Sequence, residues 1–227
     1  MKIIRMSQTE DRVAWLEFRR GRITGTKNKG IRPLTRGIDR VPQGVYKLVG
    51  EKMSIAPGDE LSINRGLRIE NEGLAKTAEK FSIELDLDPG VWVSDEDEDL
   101  ILSPDAAEPG NKPTYAAENK SLDSENHLKA ILFDKRAKKL DNYNPFKSVP
   151  KDFQDQALDY FTTNEYLETL YFGLYDDRIA VPELEHYVIV IKRKDVEGDI
   201  ELLKAIQQTT LETVNAIIKE LMEMADE

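Results

Sequence analysis

Two stretches decide the fold expected of this chain: Leu100-Ile101-Leu102-Ser103-Pro104-Asp105 and Thr114-Tyr115-Ala116-Ala117-Glu118-Asn119-Lys120. Both have strand character, and turn-forming residues separate them. Because side chains two apart on a strand share a face, Glu118 and Lys120 are expected to point the same way, and a hairpin can bring Asp105 beside them. The sequence therefore predicts two carboxylates and one amine at a single place on a sheet.

This predicted cluster has the ligands that a hard metal ion prefers. Mg²⁺ binds one or two carboxylates, keeps several waters and accepts phosphate oxygens from a substrate. An amine beside the ion, here that of Lys120, can orient or deprotonate the attacking water. The alternative is a surface ion pair on a strand, which is common by chance in a strongly charged chain. Glu118-Asn119-Lys120 is the only Glu-x-Lys in the sequence, and this favours the functional interpretation.

A further carboxylate lies on a predicted helix. The helix is expected from about Arg65 to Lys80, because apolar residues recur there at spacings of three and four. Glu70 falls on its apolar side, where a carboxylate is costly to bury unless it is paired or bound to a metal. Two interpretations stay open: Glu70 is another metal ligand, or it forms an ion pair with Arg65 or Arg68.

The rest of the pattern mixes helices and strands without a regular β-α-β repeat, which indicates an α/β or α+β fold with a central mixed sheet flanked by helices. The predicted strands are Phe81 to Leu87, Val91 to Val93, Leu100 to Ser103, Thr114 to Lys120, Tyr166 to Tyr175 and His186 to Lys192. The predicted helices are 9–20, Asp123 to Phe133, Asp152 to Phe161 and about 199–225, besides the one that carries Glu70. The first four strands are expected to form an antiparallel meander. A chain of 227 residues can bury one good-sized core, so we expect a single domain, 1–227.

The composition restricts both the metal chemistry and the location. The chain has no cysteine and only two histidines, which excludes thiolate ligands and leaves little material for a histidine-rich zinc site. No apolar run is long enough to span a bilayer, and the first residues lack the apolar core of a signal peptide. We expect a cytoplasmic protein without a membrane partner.

The charge distribution favours a polyanionic partner, although the net charge of −11 opposes one. Residues 1–50 carry twelve Lys or Arg against four acids, a balance of +8, and residues 129–151 carry seven against two, a balance of +5. The second stretch has an alternative interpretation as a solvated face. Two basic segments that flank an acidic centre are nevertheless consistent with nucleic-acid binding.

Four blocks of the sequence occur in the order known from one family. They are Trp15 to Thr26, Gly66 to Asn71, Ser103-Pro104-Asp105 with Glu118-Asn119-Lys120, and Gln154-Asp155-Gln156 followed by a strand pair, together about residues 12–192. In this the chain resembles the lambda exonuclease family, also called YqaJ-type viral recombinases, a branch of the PD-(D/E)xK nucleases. The resemblance implies a restriction-endonuclease-like core. Departures from the family's pattern are Ile69 for an aromatic residue, Thr26 for a serine and Ala106 for a glycine, and none removes a metal ligand.

The resemblance also implies site residues. The Mg²⁺ ligands would be Glu70, Asp105, Glu118 and the Asn119 carbonyl, with Mn²⁺ as a substitute ion. Lys120 would serve the nucleophilic water. The pocket for a 5′-terminal phosphate would be formed by Arg19, Thr26, Ser103 and Gln156. Since Gln154 and Gln156 lie about 200° apart on a helix, at most one of them should face the site.

The activity that the resemblance implies is a 5′ to 3′ exonuclease on double-stranded DNA ends, for phage-type recombination. It further implies a homo-oligomer, a ring-shaped trimer, with a single-strand annealing protein as partner, encoded by a phage or prophage and acting in a bacterial host cell. Two alternatives stay open: an endonuclease or single-strand nuclease on the same core, and a non-catalytic module that binds DNA ends.

Overall fold

The computed structural model describes residues 62–96, 100–102 and 104–225 of the chain. The chain divides into two compact units, each made of three separate segments. Of the described residues, the first unit holds 62–73, 120–140 and 174–187, and the second holds 74–96, 100–102, 104–119, 141–173 and 188–225. The predicted helix 9–20 and the basic segment 1–50 lie outside the described residues.

Most of the predicted helices and strands are present, with shifted ends. Among the described residues the helices are α1 (Ser62–Phe81), α2 (Ser124–Ala137), α3 (Gln154–Thr163), α4 (Pro182–Glu185) and α5 (Glu197–Ala225). The strands are β1 (Trp92–Val93), β2 (Ile101–Leu102), β3 (Ala106–Ala107), β4 (Tyr115–Lys120), β5 (Thr169–Tyr175) and β6 (His186–Lys192). Short 3-10 helices cover Pro145–Ser148, Lys151–Phe153 and Arg193–Asp195.

The largest sheet of the described residues has four strands in the order β3-β4-β5-β6, and β3 is antiparallel to β4. β4 and β5 run in the same direction. Near the start of both strands Thr169 N donates to Thr114 O, and further along both strands Gly173 lies beside Glu118 O. A parallel pair therefore joins an antiparallel pair.

The remaining pair, β5 and β6, is antiparallel. Arg193 N donates to Glu168 O where β6 ends and β5 begins, and Asp176 N donates to Glu185 O at the opposite ends of the two strands. The sheet is thus mixed, and the predicted class, a central mixed sheet flanked by helices, is confirmed.

The inner strands β4 and β5 are buried along most of their length. Small side chains on β3 and β4 permit close packing: Leu74 of α1 lies against Ala106 and Ala117, with Leu85 and Tyr171 at the edge of this cluster. Burying a leucine side chain contributes about 1.5–3 kcal/mol to stability. Because β4 is covered on both faces, its polar residues are held in the interior.

The predicted strand from Phe81 to Leu87 is wrong. α1 continues to its first residue, and the helix ends where Ser82 adopts a φ of 52°, a left-handed conformation that redirects the chain. Further along, Asp86 forms an isolated bridge with Ala107. The predicted meander is wrong as well, since β1 pairs with β2 in a separate two-stranded sheet and β4 pairs with β3.

One further predicted boundary changes for an identifiable reason, and another is confirmed. The strand predicted from Tyr166 begins only at Thr169, because Asn164 accepts from Tyr166 N and Leu167 N and so closes a turn before the strand. At the start of α2 the prediction is confirmed: the Asp123 side chain accepts from the backbone of the first helical turn.

The predicted C-terminal helix is confirmed as α5. Leu202, Ile206 and Met224 on this helix are exposed. In the part of the chain that the structure describes, no helix combines the length and the apolar character needed to cross a membrane.

Candidate active site

Glu118 is the central residue of the candidate site. It lies on β4, and none of its surface is exposed. Its Oε1 accepts a hydrogen bond of 2.7 Å from Gln156 Nε2, and its Oε2 accepts one from the Tyr160 hydroxyl. Both donors are neutral, so these bonds orient the carboxylate but leave its charge in place. A buried carboxylate is costly unless further favourable interactions offset its desolvation.

Asp105 is joined to the same network. Its Oδ2 accepts a 3.0 Å hydrogen bond from Asn119 N, the residue that follows Glu118. The backbone N–H of Asp105 donates to the Tyr160 hydroxyl at 3.2 Å. The structure therefore brings Asp105 and Glu118 together, as the sequence predicted, and links them through one phenolic oxygen.

The Tyr160 hydroxyl acts as a donor to Glu118. Burial, followed by the negative charges of Glu118 and Asp105, raises the pKa of Tyr160 well above its usual value, so the hydroxyl keeps its proton. Tyr160 is fully buried and packs edge to face against Trp92, with ring centroids 6.0 Å apart. The packing fixes the ring, and the ring fixes the hydroxyl.

Helix α3 supplies both side chains that bind Glu118. Gln156 and Tyr160 are four residues apart, so they share one face of the helix. Gln154 points elsewhere and donates to Val149 O at 2.9 Å. The expectation that at most one of the two glutamines faces the site is confirmed.

Tyr160 was missed by the sequence interpretation. The available signal was its spacing of four from Gln156 on a predicted helix, which places any residue at that position beside the glutamine. Sequence alone did not indicate that a tyrosine there would be fully buried and would contact two acidic residues.

A glycine of β5 permits the close approach of β4 at the site. A Cβ atom at Gly173 would lie 2.9 Å from Asn119 Oδ1 and 3.4 Å from Glu118 O. The first of these distances is shorter than real Cβ contacts allow, so a side chain would displace Asn119. Asn119 itself is buried.

The other predicted site residues are placed as follows. Glu70 is half-buried on α1, beside the fully buried Ile69, and belongs to the first unit. Lys120 is the last residue of β4, half-buried, and is also counted in the first unit. Their roles stay predictions. The predicted phosphate-pocket residues Arg19, Thr26 and Ser103 lie outside the described residues.

The donor set fits a hard, oxygen-bound cation. Within residues 62–96, 100–102 and 104–225, no group of three or more acidic or histidine side chains is placed to hold a metal ion. Asp105 and Glu118 nevertheless supply ligands of the kind that Mg²⁺ takes, because this ion needs only one or two protein carboxylates and completes its shell with waters and phosphate oxygens. Asp105 and Glu118 would hold such an ion.

The basic side chains of 129–151 are exposed, apart from the half-buried Lys129, but some of their charge is neutralised. Lys138 Nζ lies 2.7 Å from a carboxylate oxygen of Asp134, and Lys147 Nζ lies 2.9 Å from one of Asp199. The net attraction of this stretch for phosphate is therefore smaller than the count of basic residues indicates.

Comparison with known proteins gives matches among solved structures alone. No protein-family model matches the sequence, and no curated protein matches it. The chain is similar to an alkaline exonuclease, LHK-Exo, from Laribacter hongkongensis, and to the same enzyme in complex with dAMP. For both the identity is 16%, the match covers 92% of this chain and 99% of that chain, and the TM-score is 0.46.

Proposed function

We propose that this protein is a Mg²⁺-dependent DNA exonuclease that hydrolyses phosphodiester bonds from a duplex end in the 5′ to 3′ direction. The observation that carries the proposal is the fully buried Glu118, linked through Tyr160 to Asp105. The hydrogen bonds that join these two acidic residues orient the Glu118 carboxylate, and Mg²⁺ takes one or two such carboxylates as ligands. The order of these residues along the chain, with Lys120 after Glu118, supports a nuclease in particular.

The residues have distinct roles in this proposal. Asp105 and Glu118 would hold Mg²⁺, with Glu70 and the Asn119 carbonyl as further ligands. The bound ion supplies Lewis-acid stabilisation of phosphate charge. Lys120 would orient the attacking water or take its proton. Gln156 and Tyr160 keep Glu118 in one orientation through their hydrogen bonds, which reduces the reorganisation needed during the reaction.

The substrate assignment rests on the sequence. Arg19, Thr26 and Ser103 would bind the terminal 5′ phosphate, since a guanidinium and hydroxyls form short, charge-assisted bonds with phosphate oxygens. Gln156 would join them with an amide hydrogen, its other bond being the one to Glu118. A ring-shaped homotrimer around the duplex, acting with a single-strand annealing protein, belongs to the same proposal.

The test is the digestion of a labelled linear duplex with Mg²⁺ and with EDTA. Shortening from the 5′ end only with Mg²⁺ supports the proposal. Closed circular DNA in parallel should stay intact, because an exonuclease needs an end; its cleavage would indicate an endonuclease. Binding of linear DNA without any metal-dependent cleavage would indicate a non-catalytic end-binding module.

Metal binding can be measured independently of cleavage. Isothermal titration with Mg²⁺ should give a binding signal that Glu118→Gln removes. Glu79→Gln is the matched control, because Glu79 is exposed on α1 and the chemical change is the same. If Glu118→Gln binds Mg²⁺ as tightly as Glu79→Gln does, the assignment of Glu118 as a metal ligand is wrong.

A further inference from the structure

A cavity of about 300 Å³ lies in the second unit. Its lining combines apolar and aromatic side chains with two carboxylates: Pro89, Trp92, Pro113, Tyr166, Asp95 and Glu165. The carboxylates and the Tyr166 ring reach the surface, whereas Trp92 and Pro113 are more deeply placed. None of these residues belongs to the candidate active site.

We propose that this cavity binds one unpaired nucleobase of the DNA strand, a few nucleotides from the cleaved bond. The inference rests on the proposed nuclease function and adds a base-binding subsite to it. Three features of the second unit carry it: the distance from Glu118, the chemistry of the lining, and the rigidity of the walls.

The distance is set by helix α3. Gln156 near its start contacts Glu118, and Thr163 at its end lines the cavity. Seven residues of helix span roughly 10 Å at about 1.5 Å per residue. Stacked nucleotides of one strand are about 3.4 Å apart, so the cavity lies roughly three nucleotide steps from the carboxylates. Trp92 bridges the two places, since it lines the cavity and packs against Tyr160.

The lining suits a base and opposes a phosphate. Trp92 and Tyr166 offer aromatic rings, on which any base can stack. Asp95 and Glu165 are acceptors for the amino group of adenine or cytosine, and their two negative charges exceed the one positive charge of the neighbouring Lys112, so the lining repels phosphate. The volume, at the lower end for ligand sites, is suited to a single planar ring system.

The walls are held in place by hydrogen bonds of their own. Asn164 donates to Pro113 O and accepts from Tyr166 N, so one side chain joins two walls. Lys112 Nζ donates to the Tyr166 hydroxyl and lies 4.2 Å from the ring centroid, which restrains this ring. A site ordered in advance loses less entropy when it binds a ligand.

The experiment measures the binding of labelled single-stranded hexamers by fluorescence anisotropy in EDTA, where no cleavage occurs. The probes are adenine, cytosine, thymine and abasic hexamers without a 5′ phosphate. The adenine and cytosine hexamers should bind several-fold more tightly than the thymine hexamer, and the abasic hexamer should bind most weakly. Equal binding of abasic and adenine hexamers would overturn the proposal, because contacts would then be to the backbone alone.

Two variants test the aromatic wall. Tyr166→Leu should weaken binding of the adenine hexamer by roughly five- to a hundred-fold, the range measured when a stacking ring is removed. Tyr166→Phe keeps the ring and should bind within about two-fold of the unchanged protein. Because Tyr166 is partly exposed, neither change threatens the fold, and thermal melting checks this. Normal binding of the adenine hexamer by Tyr166→Leu would contradict base binding in this cavity.

The carboxylates need a charge-matched control. Asp95→Ala with Glu165→Ala should abolish the preference for adenine and cytosine over thymine. Glu79→Ala with Asp88→Ala removes the same charge from two other exposed positions and should preserve that preference. A preference lost in both double variants, or kept in both, contradicts the assignment.

The same preparations separate this inference from the nuclease proposal. Base-dependent binding without Mg²⁺-dependent cleavage supports the base-binding subsite and contradicts the proposed nuclease activity. Mg²⁺-dependent cleavage without base-dependent binding supports the nuclease activity and contradicts the subsite. Tight binding of a proline-rich peptide that displaces the hexamers would also overturn the base site, since aromatic grooves take such peptides as well.

Discussion

Tyr160 donates its buried hydroxyl proton to Glu118, and the same oxygen accepts from the backbone N–H of Asp105. One side chain thus connects two acidic residues of the same sheet. Glu118 lies on β4, and Asp105 directly precedes β3. Since burial and the neighbouring charges raise its pKa, the hydroxyl stays protonated across the physiological range. The position of the Glu118 carboxylate consequently depends on a residue that holds no metal ion.

Tyr160→Phe, which removes only the hydroxyl, tests this dependence. We expect a fall of about 10- to 100-fold in Mg²⁺ affinity or activity, the usual effect of losing a partner of a metal ligand. The free energy of unfolding should drop by about 1–3 kcal/mol, because two groups lose a buried partner. Titration calorimetry and urea denaturation measure the two effects. Tyr171→Phe, a half-buried tyrosine of the same sheet, is the control, and indistinguishable results for both variants would contradict the role.

Lys120→Ala and Glu118→Gln test the catalytic assignment. Both should abolish cleavage, since the loss of one catalytic group commonly lowers the rate by orders of magnitude. The variants should stay folded and still bind DNA. Gel assays with excess enzyme, circular dichroism and a DNA-binding assay give the three readouts. Near-normal turnover by Lys120→Ala would show that another group serves the water.

Arg19→Ala tests recognition of the DNA end. Removing the 5′ phosphate from the substrate should slow digestion by the unchanged protein, because a charge-assisted hydrogen bond is worth about 1.5–3 kcal/mol. The variant should digest both substrates at the same reduced rate. Initial rates on matched phosphorylated and hydroxyl duplexes provide the comparison. If the unchanged protein digests both equally, the phosphate pocket is wrong.

The stability of the protein should fall below neutral pH because of His127. The ring is fully buried, its Nε2 bonds to Leu184 O at 2.7 Å, and its Nδ1 has no hydrogen-bond partner. Burial lowers the pKa of His127; the bond to Leu184 O and the charge of Asp176 oppose this, and Arg178 adds to it. The unfolded chain therefore binds the proton more readily than the folded one.

The sign of this effect is fixed by linkage. Stability from neutral His127 is fully present above about pH 6.5, the ordinary histidine pKa, and is lost as the pH falls, by at most about 1.4 kcal/mol per pH unit. Urea denaturation at pH 7.5 and 5.5 measures the loss. His127→Gln should reduce it, whereas His186→Gln, at the only other histidine, should leave it unchanged. The same pH dependence in both variants would exclude His127 as its source.

Assembly is tested by light scattering at micromolar concentration. A chain with a net charge of −11 attracts DNA weakly, and a ring that turns its basic surfaces inward would overcome this. We expect a mass of several chains, three by the family resemblance. A mass near 25.9 kDa that persists with Mg²⁺ and DNA would rule out the ring.

Local patterns in the sequence were sufficient for much of the secondary structure and for part of the site. The 3.6-residue periodicity predicted α1, and alternation along the chain predicted β6 with the ends that it has in the structure, His186 and Lys192. The same reasoning brought Asp105 beside Glu118, because a short hairpin has few ways to pair its strands. Prediction failed at Phe81 to Leu87, where the left-handed turn at Ser82 overrides the apolar pattern.

Tertiary structure alone decided which side chains surround the carboxylates. Tyr160 reaches Glu118 only because α3 packs on the sheet, and Gly173 faces Asn119 only because β5 pairs in parallel with β4 from a distant part of the chain. Such contacts join residues far apart in sequence. Periodicity reports which face of an element is buried, whereas the identity of the neighbour across that face depends on how the whole chain folds.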